Sequence, residues 1–310
     1  MRAAVVQSPR EVLVTETQPP DPGPAEVRVR LGGAGICASE LPLYQGRDWF
    51  RYPRAPGEPG HEGWGRVDAV GAAVSGIEIG QRVALISYRA HAELDVADAD
   101  SVVALPPEID DEAPFPGEPL ACAVNALGRA GVGPDDRVAV VGCGFLGLLL
   151  VQLVARRGAE VTAISRRSSA RALALATGAD RVLAPDDRAF ESETFHVVFE
   201  VTGHQAPLDL ASRLTRERGR LVIAGYHQDG RRTVDMQLWN WRGLDVINAH
   251  ERDPMVYARG LREAVEAVRA GQLELGALIT HRYSLEELGE AYRISLERPE
   301  GFVKAVWCDG

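Results

Sequence analysis

The segment from Arg137 to Ile164 constrains the fold of this chain more than any other. Arg137–Val141 reads as an apolar strand, and Gly142-Cys143-Gly144-Phe145-Leu146-Gly147 follows it at once. An apolar helical run comes next, closed by Gly158, and then a second strand at Glu160–Ile164. Three glycines between a strand and a helix allow a tight turn, close approach to a pyrophosphate, and close packing of helix on strand. The helix N-terminus then offers unsatisfied N–H groups and a positive dipole end to the phosphates. Strand-like segments recur at Arg181–Leu183, Val197–Glu200, Arg220–Ala224 and Asp245–Asn248, with helical patterns between them. This alternation predicts an α/β region with a doubly wound parallel (Rossmann) sheet. Gly142, Gly144, Phe145, Leu146 and Gly147 are the expected dinucleotide-binding residues.

The end of the second strand reports on the nucleotide. An acid about 20 positions past the glycine motif holds the ribose 2′-hydroxyl of NAD. Here the corresponding stretch is Ser165-Arg166-Arg167, with no acid. A hydroxyl and two guanidinium groups suit a 2′-phosphate, so NADP is the expected cofactor.

The first 118 residues have a different texture. Short β-branched runs at Arg2–Val6, Glu11–Glu16, Glu26–Leu31, Glu62–Val70, Arg82–Ile86 and Val102–Ala104 are separated by proline and glycine. That spacing predicts an irregular barrel or sandwich. Two short words interrupt it: Gly35-Ile36-Cys37-Ala38-Ser39-Glu40 and Gly60-His61-Glu62-Gly63-Trp64-Gly65. A third carboxylate stands in Gly117-Glu118-Pro119-Leu120-Ala121. Cysteine sulfur, histidine nitrogen and carboxylate oxygen are the ligand types of a catalytic zinc with one open position. After about His250 the chain turns helical, as at Leu261–Arg269, and ends on a strand at Phe302–Trp307.

Composition narrows the partners. Across 310 residues there are 34 basic and 44 acidic side chains, a net charge of −10, which argues against nucleic acid or an anionic membrane. The longest apolar stretch, Phe145 to Ala155, is too short to span a bilayer. Cys37, Cys122, Cys143 and Cys308 show no paired spacing, as expected in the cytoplasm.

On these words the chain resembles the medium-chain dehydrogenase/reductase superfamily, in its zinc-dependent alcohol and polyol (sorbitol-dehydrogenase-like) branch. The resemblance rests on Gly35–Glu40, Gly60-His61-Glu62, Glu118-Pro119-Leu120, the glycine motif and the Phe302-Val303-Lys304 ending. It implies a GroES-like β-rich catalytic domain over 1–118, a Rossmann domain over 119–250, and a segment 251–310 that completes the catalytic domain, with zinc and nicotinamide meeting between them. It also implies zinc ligation by Cys37 and His61, with Glu62 and Glu118 completing the site, one directly and the other through water or by exchange. Ser39 would accept the proton of the alcohol, and Glu40, where the family usually has Asp, would orient His61. Ser39, Glu40 and Glu62 are thus the catalytic set. Lys304 falls at a position that contacts cofactor phosphate in some relatives.

Two departures stand out. Pro42 replaces the histidine that relays the proton in many relatives, and no cysteine lies between Val83 and Glu93 to hold a structural zinc. The reaction implied is hydride transfer between NADP(H) and an alcohol or carbonyl, with a polyol, cyclitol or sugar as substrate and one catalytic zinc. Tyr44, Trp49, Phe50 and Trp64 are candidates to wall the pocket. The stretch Trp239-Asn240-Trp241, before the last strand of the parallel sheet, is a candidate interface in a homodimer or homotetramer. The alternatives are a zinc-free NADPH quinone or enoyl reductase of the same superfamily, and a non-enzymatic NADP-binding protein.

Overall fold

In the computed structural model, residues 1–187 and 194–309 are described. The chain divides into two compact units, one of Met1–Ala121 with Asp253–Gly310 and the other of Cys122–Arg252.

The N-terminal stretch forms β1 (Arg2–Ser8), β2 (Glu11–Glu16), β3 (Glu26–Gly35), α1 (Leu41–Gln45), β4 (Gly63–Val70), β5 (Arg82–Leu85), β6 (Leu94–Asp98) and β7 (Val102–Ala104). Helix α2 (Gly117–Ala130) follows, then β8 (Arg137–Val141), α3 (Phe145–Ala155), β9 (Glu160–Ile164), α4 (Ser168–Ala176), β10 (Arg181–Leu183) and β11 (Phe195–Glu200). Next come α5 (Gln205–Leu214), β12 (Thr215–Ile223), α6 (Met236–Arg242) and β13 (Asp245–Asn248). The last segment supplies α7 (Pro254–Arg269), β14 (Ile279–Tyr283), α8 (Leu288–Glu297) and β15 (Lys304–Cys308).

In the first unit the main sheet runs β14-β15-β3-β4-β5-β7, with β6 also paired to β3, and β1 and β2 form a separate ribbon. Strand β3 alternates buried Val27, Val29 and Leu31 with more exposed Arg28 and Arg30, the period-two pattern of a strand with one buried face. Its inner face joins Val67, Val83 and Leu85 in a core closed by Leu285, Leu288, Tyr292, Phe302 and Trp307 from the chain's end. Chain reversal puts the end of β3 beside the start of β4, with Ala34 opposite Gly63, and places β15 on the other side, with Val306 opposite Gly35.

The second unit is a six-stranded sheet in the order β10-β9-β8-β11-β12-β13, every neighbouring pair parallel. Strand order reverses between β8 and β11, and open sheets of this kind bind ligands at such a point, beyond the carboxyl ends of the strands. Strands β8 and β9 are buried along nearly their whole length, as parallel strands covered on both faces require. No helix among the described residues is long and apolar enough to cross a membrane.

The expected parallel-sheet strands are present. Strand β12 begins five residues earlier than the pattern suggested, at Thr215, because Arg216, Glu217 and Arg218 conceal its polar start. Strands β6 and β14 were not anticipated. Each is short, and β6 places a buried Asp95 where an apolar residue would have signalled a strand.

Candidate active site

The antiparallel pairing of β3 and β4 explains how distant words meet. Gly35 N donates to Glu62 O at 3.1 Å, so the residue pairs at the two strand ends are locked together. Beyond β3 the chain turns through a single 3-10 turn, Ala38–Glu40, entered from Cys37, and continues into α1, which ends on Gly46 in the left-handed region. One ligand atom each from Cys37, His61 and Glu62 lies within 4.8 Å of the others. Gly35 makes room for this, since a Cβ there would run into the Glu62 carboxylate.

The ring of His61 is fixed by acceptors on one side. Its Nδ1 is 2.9 Å from Pro59 O and 3.2 Å from Glu40 Oε1. A carbonyl oxygen only accepts, so Nδ1 carries a proton, and Nε2 is the nitrogen that could bind a metal once a proton on it is displaced. Ser39 Oγ lies 3.4 Å from that Nε2. Burial alone would lower the pKa of His61; Cys37, then Glu40 and Glu118, outweigh it and hold it well above the usual value. Glu118, half-buried in the first turn of α2, therefore acts on His61 through charge, but it is not one of the three groups whose donor atoms converge.

The fully buried Glu62 carboxylate has a cationic partner. Lys304 Nζ donates to Glu62 Oε1 at 2.6 Å and to Ile36 O at 3.1 Å. Burial would depress the lysine pKa, but Glu62 and Cys37 raise it above its ordinary value. Lys304, expected at a cofactor phosphate, is here buried with its ammonium on the Glu62 carboxylate.

Glu40 is almost wholly buried as well. Its Oε2 accepts from His91 Nε2 at 2.9 Å and from Tyr292 OH at 2.8 Å, and Trp307 Nε1 donates to His91 Nδ1 at 3.1 Å. Burial pushes this carboxyl up, yet His91, followed by His61 and Tyr292, brings it below the usual carboxylate value. His91, Tyr292 and Trp307 carry no motif, and sequence reasoning missed them. Of the expected pocket aromatics, Tyr44 is core and stacks on Tyr292 at 5.1 Å, and Trp64 is also buried. Trp49 is exposed and Phe50 half-buried.

In the parallel-sheet unit the three motif glycines have three physical causes. Gly142 has φ +113°, which L side chains rarely adopt. A Cβ on Gly147 would collide with Gly142 O, so its absence lets α3 sit on the turn. At Gly144, the N-cap of α3, a Cβ would meet nothing within 4 Å. Packing does not require that glycine; it leaves room for something that is not protein, as a nucleotide phosphate would need. Phe145 is buried and Leu146 half-buried in the first turn of α3. Burial pushes the Cys143 thiol, inside the turn, up to about 12.

Ser165, Arg166 and Arg167 form the turn from β9 into α4, with Arg167 at the N-cap. Arg166 is exposed and the other two half-buried. Arg171 braces the turn from below, donating through NH1 to Ser165 O at 2.7 Å and Arg166 O at 2.9 Å.

Comparison with known proteins places the chain among dehydrogenases. Residues 23–107 match the alcohol dehydrogenase GroES-like domain family, and residues 146–266 match the zinc-binding dehydrogenase family. The chain is 27% identical to sorbitol dehydrogenase of Gallus gallus, over 99% of this chain and 96% of that protein. It is 24% identical to L-galactonate-5-dehydrogenase of Escherichia coli K12, over 99% and 98%. Among solved structures, a zinc-binding dehydrogenase candidate of Sinorhizobium meliloti 1021 bound to NADP superimposes with a TM-score of 0.85 at 25% identity, covering 99% of both chains. Galactitol-1-phosphate dehydrogenase of Escherichia coli superimposes with a TM-score of 0.86 at 24% identity, covering 100% of both.

Proposed function

We infer that this chain, which belongs to the zinc-dependent alcohol and polyol dehydrogenase branch of the medium-chain dehydrogenase/reductase superfamily, is an NADP-linked oxidoreductase acting on a polyol-like alcohol or its carbonyl counterpart. The observation that carries the reading is the convergence of Cys37, His61 and Glu62. Thiolate, imidazole and carboxylate are donors that suit zinc, so the residues fit the metal. When bound, zinc supplies Lewis acidity toward the substrate oxygen, and the nicotinamide supplies or receives the hydride.

The chain's own residues do the rest. Cys37, His61 and Glu62 would hold the metal, with Glu118 adding negative charge beside His61. Ser39, close to His61 Nε2, takes up the proton of the substrate hydroxyl as it passes its own hydroxyl proton on to water. Pro59 O keeps the imidazole in its tautomer, and the Glu40 carboxylate beside Nδ1 favours the same orientation. The turn Gly142–Gly147 binds the pyrophosphate through backbone N–H groups, and Ser165, Arg166 and Arg167 bind the 2′-phosphate. In this reading 1–118 and 251–310 form the catalytic domain and 119–250 the nucleotide domain. Sorbitol, L-galactonate and galactitol-1-phosphate, named for the relatives, point to a substrate with several hydroxyls.

The test combines bound metal per chain with NADPH and NADH titrations, followed by a polyol and ketose panel read by NADPH absorbance. About one zinc per chain, tighter binding of NADPH than NADH, and turnover on a polyol are expected. NADPH binding without zinc would shift the reading to a zinc-free quinone or enoyl reductase, or to a binding protein.

A further inference from the structure

We propose that His91, Tyr292 and Trp307 are positioning residues for the metal site: they anchor one oxygen of Glu40 so that the other can hold His61. The proposal rests on the zinc reading above. The two oxygens of Glu40 are divided. Oε1 lies 3.2 Å from His61 Nδ1, whose hydrogen bond goes to Pro59 O at 2.9 Å, and accepts from the Cys37 backbone N–H at 3.4 Å. Among the described residues, Oε2 accepts from the anchors, His91 Nε2 at 2.9 Å and Tyr292 OH at 2.8 Å. One carboxylate thus joins both metal-binding words to two side chains far away in sequence.

The anchors are themselves anchored. Trp307 Nε1–H can only donate, so His91 Nδ1 accepts and the imidazole proton lies on Nε2, toward Glu40. Tyr292 stacks on Tyr44 of α1 at 5.1 Å and meets the His91 ring edge-on at 5.9 Å. Glu40, His91, Tyr292 and Trp307 are each at most 2% exposed, so no water competes for these bonds. A glutamate here, one methylene longer than aspartate, is suited to reach both His61 and the His91–Tyr292 pair. A satisfied core cluster would account for the burial alone. It would not account for a carboxylate that turns its other oxygen toward both the His61 ring and the Cys37 backbone.

The test is zinc retention. Zinc-loaded wild type, Tyr292→Phe and His91→Leu are challenged with a chelator, and zinc release is timed well below the unfolding temperature. Leu288→Ala, a core change on the same helix as Tyr292 that removes no Glu40 partner, is the control for general loosening. Cobalt-substituted samples report the ligand geometry by absorption. Tyr292→Phe deletes one hydroxyl and keeps the stacked ring; both it and His91→Leu are expected to release zinc about tenfold or more faster, with a changed cobalt spectrum. Leu288→Ala is expected to release zinc at the wild-type rate. Release by both variants within about twofold of wild type, far short of the usual effect of losing such a partner, would overturn the proposal. So would equal acceleration in Leu288→Ala. A wild-type protein that binds no zinc or cobalt would remove the underlying zinc reading and this proposal with it, an outcome visible before any variant is made.

Discussion

Replacing Lys304 by Met removes the ammonium and keeps most of the stem, leaving Glu62 charged and fully buried without its cation. Two unit charges about 3 Å apart at an effective dielectric of about 20 attract by about 5 kcal/mol. Breaking a buried pair from one side costs about 3–5 kcal/mol, because the remaining charge is uncompensated. In chelator-stripped protein the variant should therefore lose about 3–5 kcal/mol, roughly a 10 °C drop in Tm for a unit of this size. Saturating zinc should shrink that loss, because a divalent cation compensates the same carboxylate; by linkage, zinc binds Lys304→Met more tightly than wild type. Adding Glu62→Gln should recover most of the stability of the stripped protein. Urea unfolding of the two single variants and the double variant, with and without zinc, gives the cycle. A loss below about 1 kcal/mol in stripped protein, the scale of an exposed pair, or no recovery on adding Glu62→Gln, would refute the reasoning. NADPH affinity should be unchanged in Lys304→Met, which separates this account from a phosphate-contact role.

Arg166→Asp should lower the NADPH-over-NADH preference by about tenfold to a hundredfold, the scale of one charge-assisted hydrogen bond; unchanged ratios of dissociation constants would reject NADP as the matched cofactor. Gly147→Ala should destabilise the nucleotide unit by about 1–3 kcal/mol through overpacking against Gly142 O, whereas Gly144→Ala should leave Tm unchanged and weaken cofactor binding. At pH 8 Cys143 is thiolate in only about one molecule in 10⁴, since its pKa is about 12, so mass-mapped iodoacetamide labelling should spare it and rise only as pH nears that value. Strand β13 is an exposed edge and Trp241 beside it is 84% exposed, so Trp241→Glu should convert a dimer to monomers in light scattering; a wild-type monomer would remove that interface.

The glycine turn and the metal words could be read in the sequence because each compresses its chemistry into a few adjacent residues. Cys37, His61 and Glu62 needed only one further fact, the antiparallel pairing of β3 with β4, to be brought together. The partners of Glu40 could not be read, because His91, Tyr292 and Trp307 reach the site only through tertiary assembly. His91 lies 51 positions from Glu40 and Tyr292 lies 252 away. The burial of Lys304 was hidden for a related reason: it follows from the placement of β15 beside β3, not from any local pattern. Tyr44 and Trp64 sit beside functional words and serve the core, so proximity in sequence was a poor guide to lining a pocket.

The placement of β15 between β14 and β3 has a consequence for biosynthesis. Lys304, Trp307 and Tyr292 are made after the parallel-sheet unit, yet they brace side chains made before it. On the ribosome the parallel-sheet unit is fully synthesised before the first unit has its final strand. The first unit must wait with an open edge on β3 and an uncompensated Glu62 until its closing segment emerges. The bracing of Glu40 and Glu62 is then a late event, one that waits on the segment that carries β15.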